Sequence, residues 1–251
     1  MKENRQPLPV CTVLGLPYYA GERGALLSHL LTAAERRCPL AVFTPGATMA
    51  AVAARREDFQ RVLLGGDILL ADGCGCLLAA RLAGKKLPAR MAGIDLAEAL
   101  LSVADTRALR VFLYGGREGV AERAAARLLA RYPRLTFASA SGYGDDPVRE
   151  ISRFSPNLVF VCLGAERQER WILANKDALG AVCLGLGGSL DVWAGEKARA
   201  PLLWQRMGLE WAWRTLAEPR RVSRLFPLPA YFLRCFLSRF GQNDKKAETE
   251  G

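Results

Sequence analysis

Short apolar runs that stop at glycine and polar residues, each followed by a helical pattern, recur from residue 10 to about residue 195. Leu40-Ala41-Val42-Phe43 runs into Thr44-Pro45-Gly46, and Ile68-Leu69-Leu70-Ala71 runs into Asp72-Gly73-Cys74-Gly75. Arg110-Val111-Phe112-Leu113-Tyr114 ends in Gly115-Gly116-Arg117-Glu118-Gly119. Leu158-Val159-Phe160-Val161-Cys162-Leu163 ends in Gly164-Ala165-Glu166-Arg167-Gln168-Glu169, and Ala181-Val182-Cys183-Leu184 ends in a glycine loop reaching Gly188 and Asp191. Continuous apolar runs of this length suit strands buried on both faces, and such strands need helical crossovers. The pattern predicts an α/β fold: a doubly wound, Rossmann-like, mostly parallel sheet. Val10-Cys11-Thr12-Val13-Leu14 and Thr136-Phe137-Ala138 add strands at its margins. Helices are expected over residues 21–37, after Thr48, from Asp95 to about Thr106, over 120–131, and around Trp171, Ile172 and Leu179.

After Gly195 the character changes. Glu210-Trp211-Ala212-Trp213-Arg214 and Pro219-Arg220-Arg221-Val222-Ser223-Arg224 mix arginine with aromatics, and an apolar stretch follows from Leu225 to Leu237. The chain therefore divides into an α/β domain over 1–195, a helical basic appendage over 196–240 and a solvated tail over 241–251. The net charge is +10. Between Lys197 and Arg239 nine Lys/Arg stand against Glu210 and Glu218 alone. A basic surface so concentrated implies an anionic partner: substrate phosphates, nucleic acid or an anionic membrane.

No apolar run approaches the ~18 residues needed to cross a bilayer, and the first residues lack the apolar core of a secretory signal. The expected location is cytoplasmic. The apolar stretch 225–237 is too short and proline-broken to span, but suits the membrane surface. Seven scattered cysteines read as reduced core thiols. His29 is the only histidine, which excludes His-dependent triads and His-rich metal sites. Asp145-Asp146, beside Pro147, reads as a helix-start device, so no metal site is expected.

Ligands of open α/β sheets bind outside the carboxyl ends of the strands, so the polar strand ends are the candidate site. Asp72 has two readings there. It is a catalytic base at the rim, or a cap for the following helix. Thr44 either caps a helix or hydrogen-bonds a ligand. Gly115 and Gly116 open a turn that receives a nucleotide's phosphate or ribose, or that serves packing alone. Asp95 is a simple cap, or shares a pocket with Arg90. The Glu166–Glu169 cluster at the end of a buried strand is costly unless paired or used.

Taken in order, seven stretches resemble the motifs of the WecG/TagA/CpsF bacterial glycosyltransferases. They are Thr44-Pro45-Gly46-Ala47-Thr48-Met49, Ala71-Asp72-Gly73-Cys74-Gly75, Arg90-Met91-Ala92-Gly93-Ile94-Asp95-Leu96, Gly164 to Glu169, Gly187-Gly188-Ser189-Leu190-Asp191 with Val192-Trp193-Ala194-Gly195, Arg199-Ala200-Pro201, and Gly208-Leu209-Glu210-Trp211-Ala212-Trp213-Arg214. The resemblance covers residues 10 to 226. It implies transfer of a sugar, such as N-acetylmannosamine or a related uronic sugar, from a UDP-sugar. The implied acceptor is undecaprenyl-diphosphate-linked N-acetylglucosamine, at the inner membrane face, in teichoic acid-like surface polymer synthesis. It implies an inverting reaction with Asp72 as general base. Thr44, Gly46, Arg90, Asp95, Gly115, Gly116, Gln168, Glu169, Gly188 and Asp191 would serve the donor. Arg199, Arg214, Arg221 and Arg224 would meet the acceptor diphosphate. No cofactor and no metal are expected, because arginines and helix N-termini replace a metal in stabilising the leaving UDP. A homo-oligomer is compatible with the same pattern.

Two positions depart from the family pattern. Gly46 stands where the family usually has Asn, and Glu166-Arg167-Gln168-Glu169 stands where it usually has Pro-Lys-Gln-Glu. Both bear on donor identity more than on reaction type. Two other classes of function remain at this stage: a nucleic-acid-binding protein using the basic segment, and a nucleotide-dependent oxidoreductase of similar topology.

Overall fold

The structure, a computed structural model, describes residues 8–208 and 210–240, leaving aside the side chains of residues 202, 206, 214, 217 and 219–221. The tail expected over 241–251 lies outside the described residues. Eight strands form one sheet in the order β1-β2-β4-β3-β8-β7-β5-β6. β1 (Val10–Val13) and β2 (Leu16–Tyr19) make an antiparallel hairpin, turned at Leu14 and Gly15, both of which have positive φ. The remaining pairings are parallel, through β3 (Leu40–Phe43), β4 (Ile68–Leu69), β5 (Arg110–Gly115), β6 (Thr136–Ala140), β7 (Leu158–Cys162) and β8 (Val182–Gly185). β3, β7 and β8 are buried at every position. Fully burying a Val, Leu or Phe side chain contributes roughly 1.5–3 kcal/mol, so these central strands carry much of the driving force.

Alternate residues feed two cores. On one face α1 (Arg23–Glu35), α5 (Gly93–Asp105), α6 (Val120–Arg131) and α9 (Ser189–Trp193) cover Val42, Val111, Phe160 and Leu184. On the other, α2 (Ala47–Ala53), α3 (Glu57–Leu64), α4 (Cys74–Leu82), α7 (Val148–Phe154) and α8 (Arg167–Leu179) cover Phe43, Leu69, Phe112 and Val161. The α6 helix shows the logic. Val120, Ala121, Ala124 and Leu128 recur on one stripe, which is buried, while its charged residues lie outside it.

The chain leaves β3 towards β4 on one side and reaches β8 from β7 on the other. The carboxyl ends of β3 and β8 therefore meet at mid-sheet, where the winding reverses, the place at which open α/β sheets bind their ligands. Beyond α9 the chain continues as α10 (Leu202–Arg206), α11 (Glu210–Ala217), a 3-10 helix (Pro219–Leu225) and α12 (Leu228–Ser238). α12 places Tyr231 and Cys235 in the second core with Cys76, Ala79 and Ala80, and Arg234 donates to the Ala54 carbonyl at 2.5 Å. The basic segment thus returns to the α/β body and completes one of its cores.

Candidate active site at the carboxyl edge of the sheet

Four strand ends converge: those of β4, β3, β8 and β7. After β3 come Thr44 and Pro45, which has no N–H for the ladder, and α2 starts with Gly46 as its N-cap. Thr44 is buried, and its hydroxyl donates to the Gly185 carbonyl at 2.7 Å, tying the ends of β3 and β8. The N-terminus of α5 presses on the same spot: a Cβ on Gly93 would come within 2.9 Å of Thr44 Cγ2. Only a glycine lets that helix start so close to the sheet.

Gln168 and Glu169 arrive from α8. The Gln168 amide nitrogen donates to Glu169 Oε1 at 2.7 Å, and Gln168 Oε1 accepts from the Gly187 N–H at 3.0 Å. Glu169 Oε2 accepts from the Glu166 N–H at 2.6 Å, and the two residues form a capping box. Glu169 is fully buried, and desolvation pushes its carboxyl above the usual carboxylate range. The costly polar cluster is paired: it stitches the start of α8 to the loop after β8. Gly188 is the N-cap of α9 in that loop, and Asp191 stands in the first turn.

Asp72 sits half-buried three residues beyond the end of β4, where its backbone bridges to Gly46 in parallel register. Its carbonyl lies 3.7 Å from Cys76 Sγ, and the neighbouring Ala71 carbonyl accepts from the Met91 N–H at 3.0 Å. Gly73, with φ 92°, holds the N-cap of α4, which has no side-chain capping bond. Asp72 thus stands one residue before the N-cap position itself. Thr44 stands two residues before Gly46, the N-cap of α2.

Gly115 and Gly116 lie at the end of β5, two strands beyond β8. A Cβ on Gly115 would fall 2.3 Å from the Cys162 carbonyl oxygen, and the Gly116 N–H already donates to that carbonyl at 3.3 Å. The turn is shaped by its approach to β7.

The remaining candidates form ion pairs with the basic segment. Arg90 lies 3.9 Å from the buried Glu210 of α11. Asp95 pairs with Arg199, and its carbonyl accepts from Arg23 at 2.5 Å. Asp191 pairs with Lys197 at 3.1 Å, and Lys197 also reaches Glu218 at 2.9 Å. Cys74 Sγ donates to the Gly208 carbonyl at 2.9 Å. Arg224 is exposed on the 3-10 helix, and the side chains of Arg214 and Arg221 lie outside the described residues. Sequence reasoning passed over Lys197, Glu210 and Glu218. A signal was present, since the only two acids between Lys197 and Arg239 are the two that meet cations here.

Among the described residues no three His, Cys, Asp or Glu side chains gather to hold a metal, and no helix is long and apolar enough to cross a membrane. The seven cysteines are free, and burial pushes the Cys76, Cys162 and Cys183 thiols up to about 12, as core thiols require.

The model of the glycosyl transferase WecG/TagA/CpsF family matches residues 11–245. The N-acetylglucosaminyldiphosphoundecaprenol N-acetyl-beta-D-mannosaminyltransferase of Bacillus subtilis (strain 168) is 32% identical over 228 residues, covering 88% of this chain and 89% of its own length. The protein of the same name from Staphylococcus aureus (strain NCTC 8325 / PS 47) is 32% identical over 201 residues, 78% of each chain. A match over nearly the whole chain takes in the strand-end rim and the segment that folds back over it, and decides between sugar transfer and the nucleic-acid and redox readings: the chain is a glycosyltransferase of the WecG/TagA/CpsF family.

Proposed function

We propose that the protein transfers N-acetylmannosamine or a closely related sugar from a UDP-sugar to undecaprenyl-diphosphate-linked N-acetylglucosamine, in synthesis of a teichoic acid-like surface polymer. The names of its relatives support the acceptor and the sugar. The observation that carries the chemistry is the place of Asp72, half-buried on the rim with its backbone bridged to Gly46, beside the Thr44 strand end.

In this reading Asp72 accepts the proton of the acceptor hydroxyl as its oxygen attacks the anomeric carbon. The bond from that carbon to UDP breaks on the opposite face, so configuration inverts. A positioned base contributes roughly 10²–10⁴-fold to such a step. Thr44, Gly46, Gln168, Gly188 and Asp191 frame the donor, with the glycine turn at Gly115 and Gly116 further along the edge. Arg90, Arg199, Arg214, Arg221 and Arg224 meet the diphosphates of the leaving group and the acceptor. The acceptor's lipid tail would lie in the membrane beneath the basic segment, at the inner face of the cell membrane.

Asp72→Asn is expected to keep UDP affinity and melting temperature near wild type while lowering kcat by at least about a hundredfold. The assay is radiolabelled sugar transfer from UDP-N-acetylmannosamine to a short-chain lipid-diphosphate acceptor. Undiminished kcat removes Asp72 as the base. EDTA in the same assay is expected to leave the rate unchanged, and complete loss would replace the arginine-only account of the leaving group.

A further inference from the structure

Lys197 occupies a joint. Its backbone N–H donates to the Asp191 carbonyl in the first turn of α9, at 3.1 Å. Its ammonium lies 3.1 Å from Asp191 Oδ2 and 2.9 Å from Glu218 Oε1. Glu218 is the residue immediately before the 3-10 helix Pro219–Leu225, which carries Arg220, Arg221 and Arg224. One cation thus fastens the start of the arginine-bearing helix to the first turn of α9, just beyond the loop that follows β8. The two carboxylates hold the ammonium charged, with Glu218 as the larger influence, so the tie is present throughout the neutral range.

Geometry sets this pair apart from a pair within one helix. Arg61 and Glu57 lie on a single helix, four residues apart, and change nothing beyond it. Lys197 and Glu218 are joined only by the intervening chain, α10 and α11, and the pair closes that loop. Arg90–Glu210 and Arg199–Asp95 fasten the same loop at earlier points. Without the Lys197 tie the last of these ion-pair fastenings before the 3-10 helix is gone, and that helix is held by its packing on α11 and by the chain on either side.

We propose that Lys197 is a positioning residue that, through Glu218, holds the 3-10 helix and its arginines at the donor rim, and so sets affinity for the diphosphate of the acceptor. This rests on the reading that those arginines meet the acceptor. It adds a function for two residues that touch neither substrate. Loss of the tie lets the helix sample more positions, and the acceptor must then select the competent one, which raises its apparent KM. The donor side keeps its own contacts.

The test uses the full chain with UDP-N-acetylmannosamine and a short-chain lipid-diphosphate acceptor in detergent micelles. Lys197→Met and Glu218→Gln are each expected to raise acceptor KM by roughly three- to tenfold, and Glu218→Gln, which leaves the Lys197–Asp191 pair in place, to keep UDP affinity, measured by calorimetry, unchanged. The double variant should be no worse than Lys197→Met alone, because that substitution already removes the Lys197–Glu218 interaction. Lys197→Arg, which can still bridge both carboxylates, should restore acceptor KM. Calorimetric UDP binding also shows that each variant is folded. Additive effects, a change confined to UDP affinity, or wild-type KM in Glu218→Gln would each overturn the proposal. Absence of transfer by the wild-type protein would instead overturn the functional reading on which it rests.

Discussion

Gly115 illustrates how a single residue can look functional and be fixed by packing. Its φ of 132° is open to glycine, and the space where a side chain would stand is filled by the backbone of Cys162. Gly115→Ala is therefore expected to destabilise the fold by at least about 2 kcal/mol, since backbone strain and overpacking combine and no flexible group can yield. Chemical denaturation would read this, and a variant as stable as wild type would free the turn for a ligand-only role. Gly46 is the contrary case. Its φ of −79° is open to any residue, and a Cβ would meet only the Asp72 carbonyl, at 3.2 Å. Gly46→Asn, which restores the side chain usual in the family, is expected to fold within about 1 kcal/mol of wild type and to shift donor KM. If donor KM and sugar preference both stay fixed, position 46 does not face the donor.

At the scale of elements, the start of α8 is the most tightly written piece of the rim. Glu169 accepts from both the Gln168 amide and the Glu166 N–H, and glutamine at 169 would supply one oxygen and one unwanted donor. Glu169→Gln is expected to cost about 1–3 kcal/mol, the usual penalty for orphaning a buried donor. Burial raises the folded-state pKa of this carboxyl above its unfolded value, so its contribution to folding is most favourable in acid and declines as pH rises through the raised value. The stability gap between wild type and Glu169→Gln should therefore widen as pH falls from neutral through the raised value towards the ordinary carboxylate range. A gap that narrows would show that the hydrogen bonds outweigh desolvation. Elements with this degree of local agreement were legible in sequence. β3, β5 with α6, and β7 fall where the apolar runs and glycine turns put them. Others were not. β2 contains Pro17, which demotes a strand pattern, yet it sits between β1 and β4, and its short ladder leaves room for a residue without an N–H. β4 is only two residues long, because the chain turns away at Asp72 after a single further bridge to Gly46. α3 opens on Glu57-Asp58, and polar first turns hide a helix from an apolar periodicity. The rim residues of β3 and β4 were visible because strand ends are local. The ties from Lys197 to Glu218 and from Arg90 to Glu210 were not, since their partners meet only after the segment folds back.

For the molecule as a whole, the segment after Gly195 joins the rim to a face of unusual composition. On α12, Tyr231 and Cys235 turn into the core while Leu233, Phe236 and Leu237 are exposed, and Phe226, 75% exposed, and Phe240 extend that outer surface. Exposed Arg224, Arg234 and Arg239 accompany them. Aromatic and leucine side chains on one side of a short helix, with guanidinium groups among them, suit an interface in which apolar groups enter the acyl boundary and cations meet lipid phosphates. Each basic residue near an anionic surface contributes about 1 kcal/mol, and apolar area adds about 25 cal/mol per Å² removed from water. The protein is therefore expected to sediment with vesicles containing anionic lipid, weakly with purely zwitterionic ones, and less as salt rises. Phe236→Ser with Leu237→Ser removes two side chains that face away from the core, so the fold should hold while vesicle affinity falls at least about tenfold. Transfer to a water-soluble, short-chain acceptor should change far less than transfer to a long-chain acceptor in vesicles. Equal vesicle binding by the double variant would mean that α12's outer surface does not enter the lipid. The basic charge alone would then have to bring the rim to a membrane-held substrate.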